Sequence, residues 1–165
     1  MKDPFSPFDV ECMRLALEQA RTASQNGEVP IGAVLAHEDA IITVAHNQVE
    51  TLCDATAHAE ILCLQKAYTL FQDWRLQNTT LYCTLEPCCM CFGSMIQSRI
   101  ERLVFGAPDI RQGVCGSWVD LSDEGHPIHQ FSIQSGLMAD ESRSLLRQFF
   151  QQRRQREKRS CGKAL

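Results

Sequence analysis

Residues 84–91 read TLEPCCMC, so that Cys88, Cys89 and Cys91 crowd into four positions directly after Pro87. Thiolates packed this closely bind metal, exchange disulfides, or lie inert in a core. Proline suits the first turn of a helix, and a helix begun at Pro87 would put Cys88 and Cys91 about 60° apart on one face, with Cys89 about 160° from Cys91. Cys88 and Cys91 are therefore the pair able to share one ion, and Cys89 is expected to be a core thiol. A helix N-terminus also favours the thiolate, because its unpaired N–H groups and dipole stabilise negative charge.

A second cluster precedes this one by one predicted strand. In Thr56-Ala57-His58-Ala59-Glu60, Thr56 is expected to cap a helix and set His58 in its first turn. Two consecutive strand–helix units bring both helix N-termini to the same carboxyl edge of a sheet. His58, Cys88 and Cys91 would then converge on one ion. One histidine and two thiolates leave a fourth tetrahedral position for water, the coordination of a catalytic zinc. Glu60 would lie within reach of that water and accept its proton. A purely structural zinc would need a fourth protein ligand, with Cys89, Cys83 or His46 as candidates, and would leave Glu60 without a task. The order HxE, strand, PCxxC matches the zinc-deaminase signature.

The elements that must position these residues can be read from periodicity. Ser6-Pro7 followed by Asp9 signals a helix start, and apolar residues at 10, 13, 17 and 20 continue it until Gly27. Apolar runs at 31–36 and 41–45 predict a hairpin, and 46–56 a polar loop. A helix over 57–70, a strand over 80–85, a helix over 87–99 and a strand over 102–105 follow. Beyond a loop at 106–127, a short edge strand at 131–133 precedes an amphipathic helix over 139–156 with Leu145, Leu146, Phe149 and Phe150 inward. Helices alternating with strands imply an α/β fold with a mixed sheet covered on both faces. The glycines at 106, 113 and 116 fit no phosphate-binding spacing.

Length and composition bound the rest. With 165 residues, 44% hydrophobic and 22% charged, the chain suits one compact domain with its own core. We divide it into a deaminase-type domain at 1–156 and a basic tail at 157–165. No stretch has the character of a signal peptide or a membrane span. Nine cysteines is an odd number. Cys12, Cys53, Cys63 and Cys83 stand singly among apolar neighbours and are expected as buried free thiols. Together these features predict a reducing, cytoplasmic setting in which clustered cysteines bind metal. The net charge of −4 is uneven: residues 151–165 carry +5, leaving −9 on the first 150. A cationic helix end fits either a solvated surface or a polyanion contact.

The sequence resembles the bacterial-type tRNA-specific adenosine deaminases of the zinc-dependent cytidine-deaminase superfamily. The similarity runs through EVPIGAVL, His46-Asn47, DATAHAEI, TLYCTLEPCCMCFGSMIQSRIERLVFGAPD, GSWVDL and ADESRSLLRQFFQQRRQ. It implies a three-layer α/β/α cytidine-deaminase-like fold with a mostly five-stranded sheet and a long C-terminal helix. It also implies a homodimer with one zinc ion per subunit that converts the wobble adenosine of an arginine tRNA anticodon loop to inosine. Water activated by the zinc would attack C6 of the flipped adenine, and Glu60 would protonate N1 and then the departing ammonia. Carried over residue by residue, His58, Cys88 and Cys91 match the zinc ligands and Glu60 the proton shuttle. Asn47 matches the pocket residue that hydrogen-bonds the base, and Val29 matches an apolar pocket wall. The backbone N–H groups of Ala59 and Cys88 match donors near the reacting centre. Asp109 matches a contact to the preceding nucleotide, and His129 a further RNA contact. Phe150 and Arg154, four apart on one helix face, suit stacking on a splayed base and pairing with phosphate.

The chain departs from the family where Gln48, Val49, Gln112 and Ile128 replace residues that are often basic or polar, each removing an RNA contact. A deaminase of a free base or nucleotide, guanine or a cytidine derivative, would use the same metal chemistry but would not need the arginine-rich terminal helix. A non-catalytic zinc module that binds RNA would not need Glu60.

Overall fold

The computed structural model describes residues 4–123 and 125–161, with side chains through 159. Helix α1 (Pro7–Gln25) starts as the sequence predicts. Its N-cap Ser6 and Asp9 form a capping box, the Asp9 N–H donating to Ser6 Oγ at 3.1 Å and the Ser6 N–H to Asp9 Oδ2 at 2.8 Å. Cys12, Met13, Ala16, Leu17, Ala20 and Ala23 recur at helical spacing on its buried face. The helix ends at Asn26, and Gly27 turns the chain with φ +82°. Gly32 allows α1 to lie directly on the sheet, because a Cβ there would run into the Ala16 carbonyl.

A hairpin follows, β1 (Gly32–His37) and β2 (Ala40–His46), paired antiparallel. Then come α2 (Val49–Leu52), α3 (Ala59–Phe71), β3 (Thr79–Leu85), α4 (Cys89–Ser98), β4 (Arg102–Ala107), β5 (Ser132–Ser135) and α5 (Ala139–Cys161). The five strands form one sheet in the order β2-β1-β3-β4-β5. β1 is antiparallel to both β2 and β3, and β3, β4 and β5 are parallel. Strands β2, β3 and β4 therefore share one direction, and α3 and α4 both begin at their carboxyl edge.

The layers follow from which side chains each strand presents. On one face, Leu35, Leu81, Cys83, Leu103 and Phe105 pack against Ala59, Cys63, Leu64 and Ala67 of α3 and Cys91 and Met95 of α4. On the other, Val34, Ala36, Tyr82 and Val104 pack against Cys12, Met13 and Ala16 of α1 and Leu137 ahead of α5. Each fully buried Leu or Met is worth about 1.5–3 kcal/mol, so both layers hold the sheet. Asp9 ties them further: it accepts from the Tyr82 hydroxyl at 2.7 Å and from Arg102 at 2.7 and 3.1 Å. Burial pushes its carboxyl up, and the Arg102 and Tyr82 bonds outweigh that, lowering it to about 2.

Several local expectations require correction. The stretch expected as polar loop contains the one-turn helix α2, whose N-cap Gln48 supplies no side-chain bond. The Asp54 carboxylate takes both the N–H and the hydroxyl of Thr56, so Thr56 does not cap α3, and His58 is the N-cap instead. Pro87 lies outside α4, because its carbonyl accepts from the Val114 N–H at 3.1 Å and Cys88 takes the N-cap with extended φ −78° and ψ 172°. The edge strand begins after Phe131, and α5 continues past 156. Residues 162–165 of the basic tail lie outside the described residues. Cys89 and Cys53 are exposed rather than buried, while Cys12, Cys63 and Cys83 are buried free thiols.

Candidate metal centre and active site

His58 and Cys88 hold equivalent positions, each the N-cap of a helix that starts at the carboxyl edge of the sheet. An N-cap side chain ordinarily bonds back to its own helix. Neither does so here, and both turn towards Cys91, one turn into α4. The His58 Nδ1 lies 3.7 Å from Cys88 Sγ and 3.5 Å from Cys91 Sγ, and the three ligand atoms fall within 4.8 Å of one another.

Those spacings test the fit to zinc. With Zn–N near 2.0–2.1 Å and Zn–S near 2.3 Å, tetrahedral geometry puts N and S about 3.6 Å apart. The two distances, 3.5 and 3.7 Å, bracket that. Among the described residues, Cys89, Cys83 and His46 do not join the group. Cys89 faces solvent, and the Cys83 thiol donates to the Leu85 carbonyl at 3.1 Å. The Cys91 thiol is pushed up by its bond to Cys88 and by its burial. The bond from the Cys91 thiol, joined by His58 and opposed by burial, lowers Cys88 to about 4. His58 is raised, chiefly by its bond to Cys88.

Glu60, at the second position of α3, is 4% exposed, and its Oε2 has no hydrogen-bond partner. Burial raises its carboxyl, with His58 and the Cys91 thiol pulling the other way. An unpartnered buried carboxylate oxygen costs about 1–3 kcal/mol or more, and here it sits within the electrostatic reach of the trio. Ala59 is buried beside it at the first position of α3.

A cavity of about 440 Å³ opens at the same sheet edge, lined by Val29, Ile31, Leu85, Pro108, Asp109, Ile110, Arg111, Gln112, Leu146 and Phe150. It gathers three of the residues singled out in the sequence, Val29, Asp109 and Phe150. Asn47 does not line the cavity, but the backbone joins it to both neighbourhoods: its N–H donates to the carbonyl of Ile31, a cavity residue, and the next N–H, of Gln48, donates to Ala57, beside His58. Phe150 is half-buried against Phe149 at 5.4 Å between ring centres, and Arg154 is exposed one turn on. His129 is not with them. Its Nε2–H donates to the Ile100 carbonyl at 2.6 Å, and Ile100 precedes β4, at the opposite edge of the sheet.

The MafB19-like deaminase family matches residues 9–154. The tRNA-specific adenosine deaminase of Haemophilus influenzae is 46% identical over 155 residues, covering 93% of this chain and 89% of that protein. The chain belongs to the tRNA-specific adenosine deaminase family. The chloroplastic tRNA(adenine(34)) deaminase of Arabidopsis thaliana is 42% identical over 157 residues, which cover 86% of this chain but only 12% of that protein. A solved tRNA:A34 deaminase, described for A-to-I editing at the wobble position of transfer RNA, superposes with a TM-score of 0.77. It is 38% identical, covering 82% of this chain and 99% of that one.

Two residues of this deaminase chain escaped the sequence reading. Glu86, 2% exposed, accepts from the backbone N–H groups of Asp109 at 2.9 Å, Cys115 at 2.8 Å and Ser117 at 3.2 Å. It thereby holds the loop after β4 that walls the cavity, and Gly113 is seated on its carboxylate where a Cβ would clash. Glu28, wholly buried, does the same for residues 47–51. A glutamate set between apolar residues, Leu85-Glu86-Pro87, was the available signal. Its partners are backbone groups, which no sequence pattern names.

Proposed function

We propose that this chain hydrolyses the wobble adenosine of a tRNA anticodon loop to inosine, with release of ammonia, and that the tRNA is an arginine acceptor. The observation that carries the reading is the trio of His58, Cys88 and Cys91 beside a buried Glu60 with one unpartnered oxygen. His58, Cys88 and Cys91 would hold one zinc ion per chain. When bound, the ion supplies a water acidic enough to lose its proton near neutral pH.

The chain's own residues do the rest. Glu60 would take that proton on its free Oε2 and deliver it to N1 of the adenine, then carry the remaining proton of the added hydroxyl to the amine as the C–N bond breaks. Its burial favours this exchange, because a carboxyl raised from its usual range gives and takes a proton more readily near neutral pH. The N–H groups of Ala59 and Cys88, at the starts of α3 and α4, stabilise charge that develops near the reacting carbon. Asn47 reads the base edge, Val29 forms an apolar wall that excludes water, and Asp109 contacts the preceding nucleotide. Phe150 and Arg154 take a splayed base and its phosphate on α5, His129 makes a further RNA contact, and the assembly is a homodimer. The deaminase domain covers 1–156, with 157–165 as a basic tail.

No helix among the described residues is long and apolar enough to cross a membrane. The free described cysteines support a reducing, cytoplasmic setting. The test is inosine formation on an arginine anticodon stem-loop, beside free adenosine, guanine and cytidine. Inosine at the wobble position alone is expected. Turnover of a free base with an untouched stem-loop would overturn the substrate while sparing the metal site.

A further inference from the structure

Glu28 sits wholly buried between the end of α1 and the start of β1, and every donor it binds comes from residues 47–51. Its Oε1 accepts the N–H of Thr51 at 2.7 Å and the Thr51 hydroxyl at 2.8 Å. Its Oε2 accepts the N–H of Glu50 at 3.2 Å and the side-chain amide of Asn47 at 3.3 Å. Gln48 leaves the first turn of α2 uncapped, so a carboxylate from across the chain takes the place of a cap. Burial pushes the Glu28 carboxyl up, and the bonds from Thr51 and Glu50 outweigh that and hold it below its usual range.

An ionised carboxylate can only accept hydrogen bonds. The amide group that faces it must therefore be the Asn47 nitrogen, and the Asn47 oxygen must point the other way. Asn47 makes no other side-chain bond among the described residues. Its backbone lies between Ile31, on the cavity wall, and Ala57, beside His58.

We propose that Glu28 is a positioning residue that locks the Asn47 amide with Oδ1 presented to the bound nucleoside, so that the pocket reads a hydrogen-bond donor, an O–H or N–H group, at that point. The inference rests on the reading of Asn47 as a nucleoside contact. Glu28 itself touches no substrate.

The Glu28→Gln variant removes one acceptor and adds a donor at the same shape. If the new carboxamide keeps its oxygen on Thr51, its NH2 faces Asn47 and the Asn47 amide turns over. Inosine formation on the anticodon stem-loop is measured for wild type, Glu28→Gln, Asn47→Ala and the double variant, with zinc content and melting recorded for each. Glu28→Gln is expected to lower kcat/KM about tenfold, the worth of one misdirected hydrogen bond. In the Asn47→Ala background the same change is expected to cost less than about twofold, because the residue it acts through is gone. An equal, additive loss in both backgrounds overturns the inference and leaves Asn47 as a contact. An Asn47→Ala variant with wild-type kinetics overturns the contact and the inference together. Should Glu28→Gln not fold, proton exchange at the Asn47 side-chain amide of the wild-type protein decides. It is expected to be at least about tenfold slower than at the exposed Asn26 and Asn78, because a bonded proton must first open. Equal rates overturn the inference.

Discussion

Glu60 and Glu86 lie at the same edge of the sheet, both at least nine-tenths buried, and their surroundings are opposite. Glu86 accepts from three backbone N–H groups. Glu60 keeps an oxygen with no partner at all. A buried carboxylate whose bonds are all made stiffens what surrounds it, and here that is the loop from Asp109 to Ser117. One left unsatisfied costs stability, and it persists where the free lone pairs have a use. The comparison separates a carboxylate that holds the cavity wall from the one proposed above to carry a proton. Glu28 belongs with Glu86.

The largest effect that would sharpen this contrast comes from the trio itself. Cys88→Ser or Cys91→Ser is expected to strip zinc from the purified protein and lower deamination by at least about 10³-fold, the several kcal/mol a metal supplies to such a step. A fully zinc-loaded, active Cys91→Ser protein would break the ligand assignment. Next comes Glu86→Gln, which turns a donor towards backbone N–H groups. It is expected to cost about 3 kcal/mol, read as a fall in the urea midpoint with zinc still bound. An unchanged midpoint would dissolve the difference between the two glutamates.

Acid sharpens the comparison on the far face. Asp9 is depressed to about 2 in the folded chain and returns to about 3.9 unfolded. A group depressed by folding stabilises above its unfolded value and loses that contribution as pH falls towards its folded one. Between about pH 4 and pH 2 the loss attributable to Asp9 is about 2 kcal/mol. Wild type should lose that much more than Asp9→Asn across the window, by urea titration at each pH, and parallel curves would contradict the assignment. The smallest effect is expected at Cys89. Although it adjoins Cys88, it is exposed, and Cys89→Ser should stay within about 0.5 kcal/mol in stability and keep its zinc. Zinc loss there would mean that the trio is misassigned.

How much of this could be read from the chain depended on where each residue's partners lie. The grouping of His58, Cys88 and Cys91 was legible because side chains able to ligate a metal are of few types, and two helix starts at one sheet edge bring these three together. The element order was legible from apolar periodicity. The caps were misplaced because Asp54 had already taken Thr56, and Val114 had taken the Pro87 carbonyl, and both bonds are invisible to spacing rules. Cys89 was expected inside because the face opposite Cys91 was taken for the core side, whereas Cys91 itself is buried and the opposite face of α4 meets solvent. Glu28 and Glu86 were missed for the same reason as α2: their stabilising contacts join a side chain to backbone far along the sequence.

The measurement that bears most directly on the central contrast is a parallel assay of wild type and Glu60→Gln for inosine formed, zinc bound and melting temperature. The substitution keeps the shape and removes the proton carrier. The expected result is one zinc per chain in both proteins, a melting temperature unchanged or raised, and inosine formation lower by about 10²–10⁴-fold. Turnover within about tenfold of wild type, or loss of zinc together with the fold, would show that Glu60 is one more structural carboxylate.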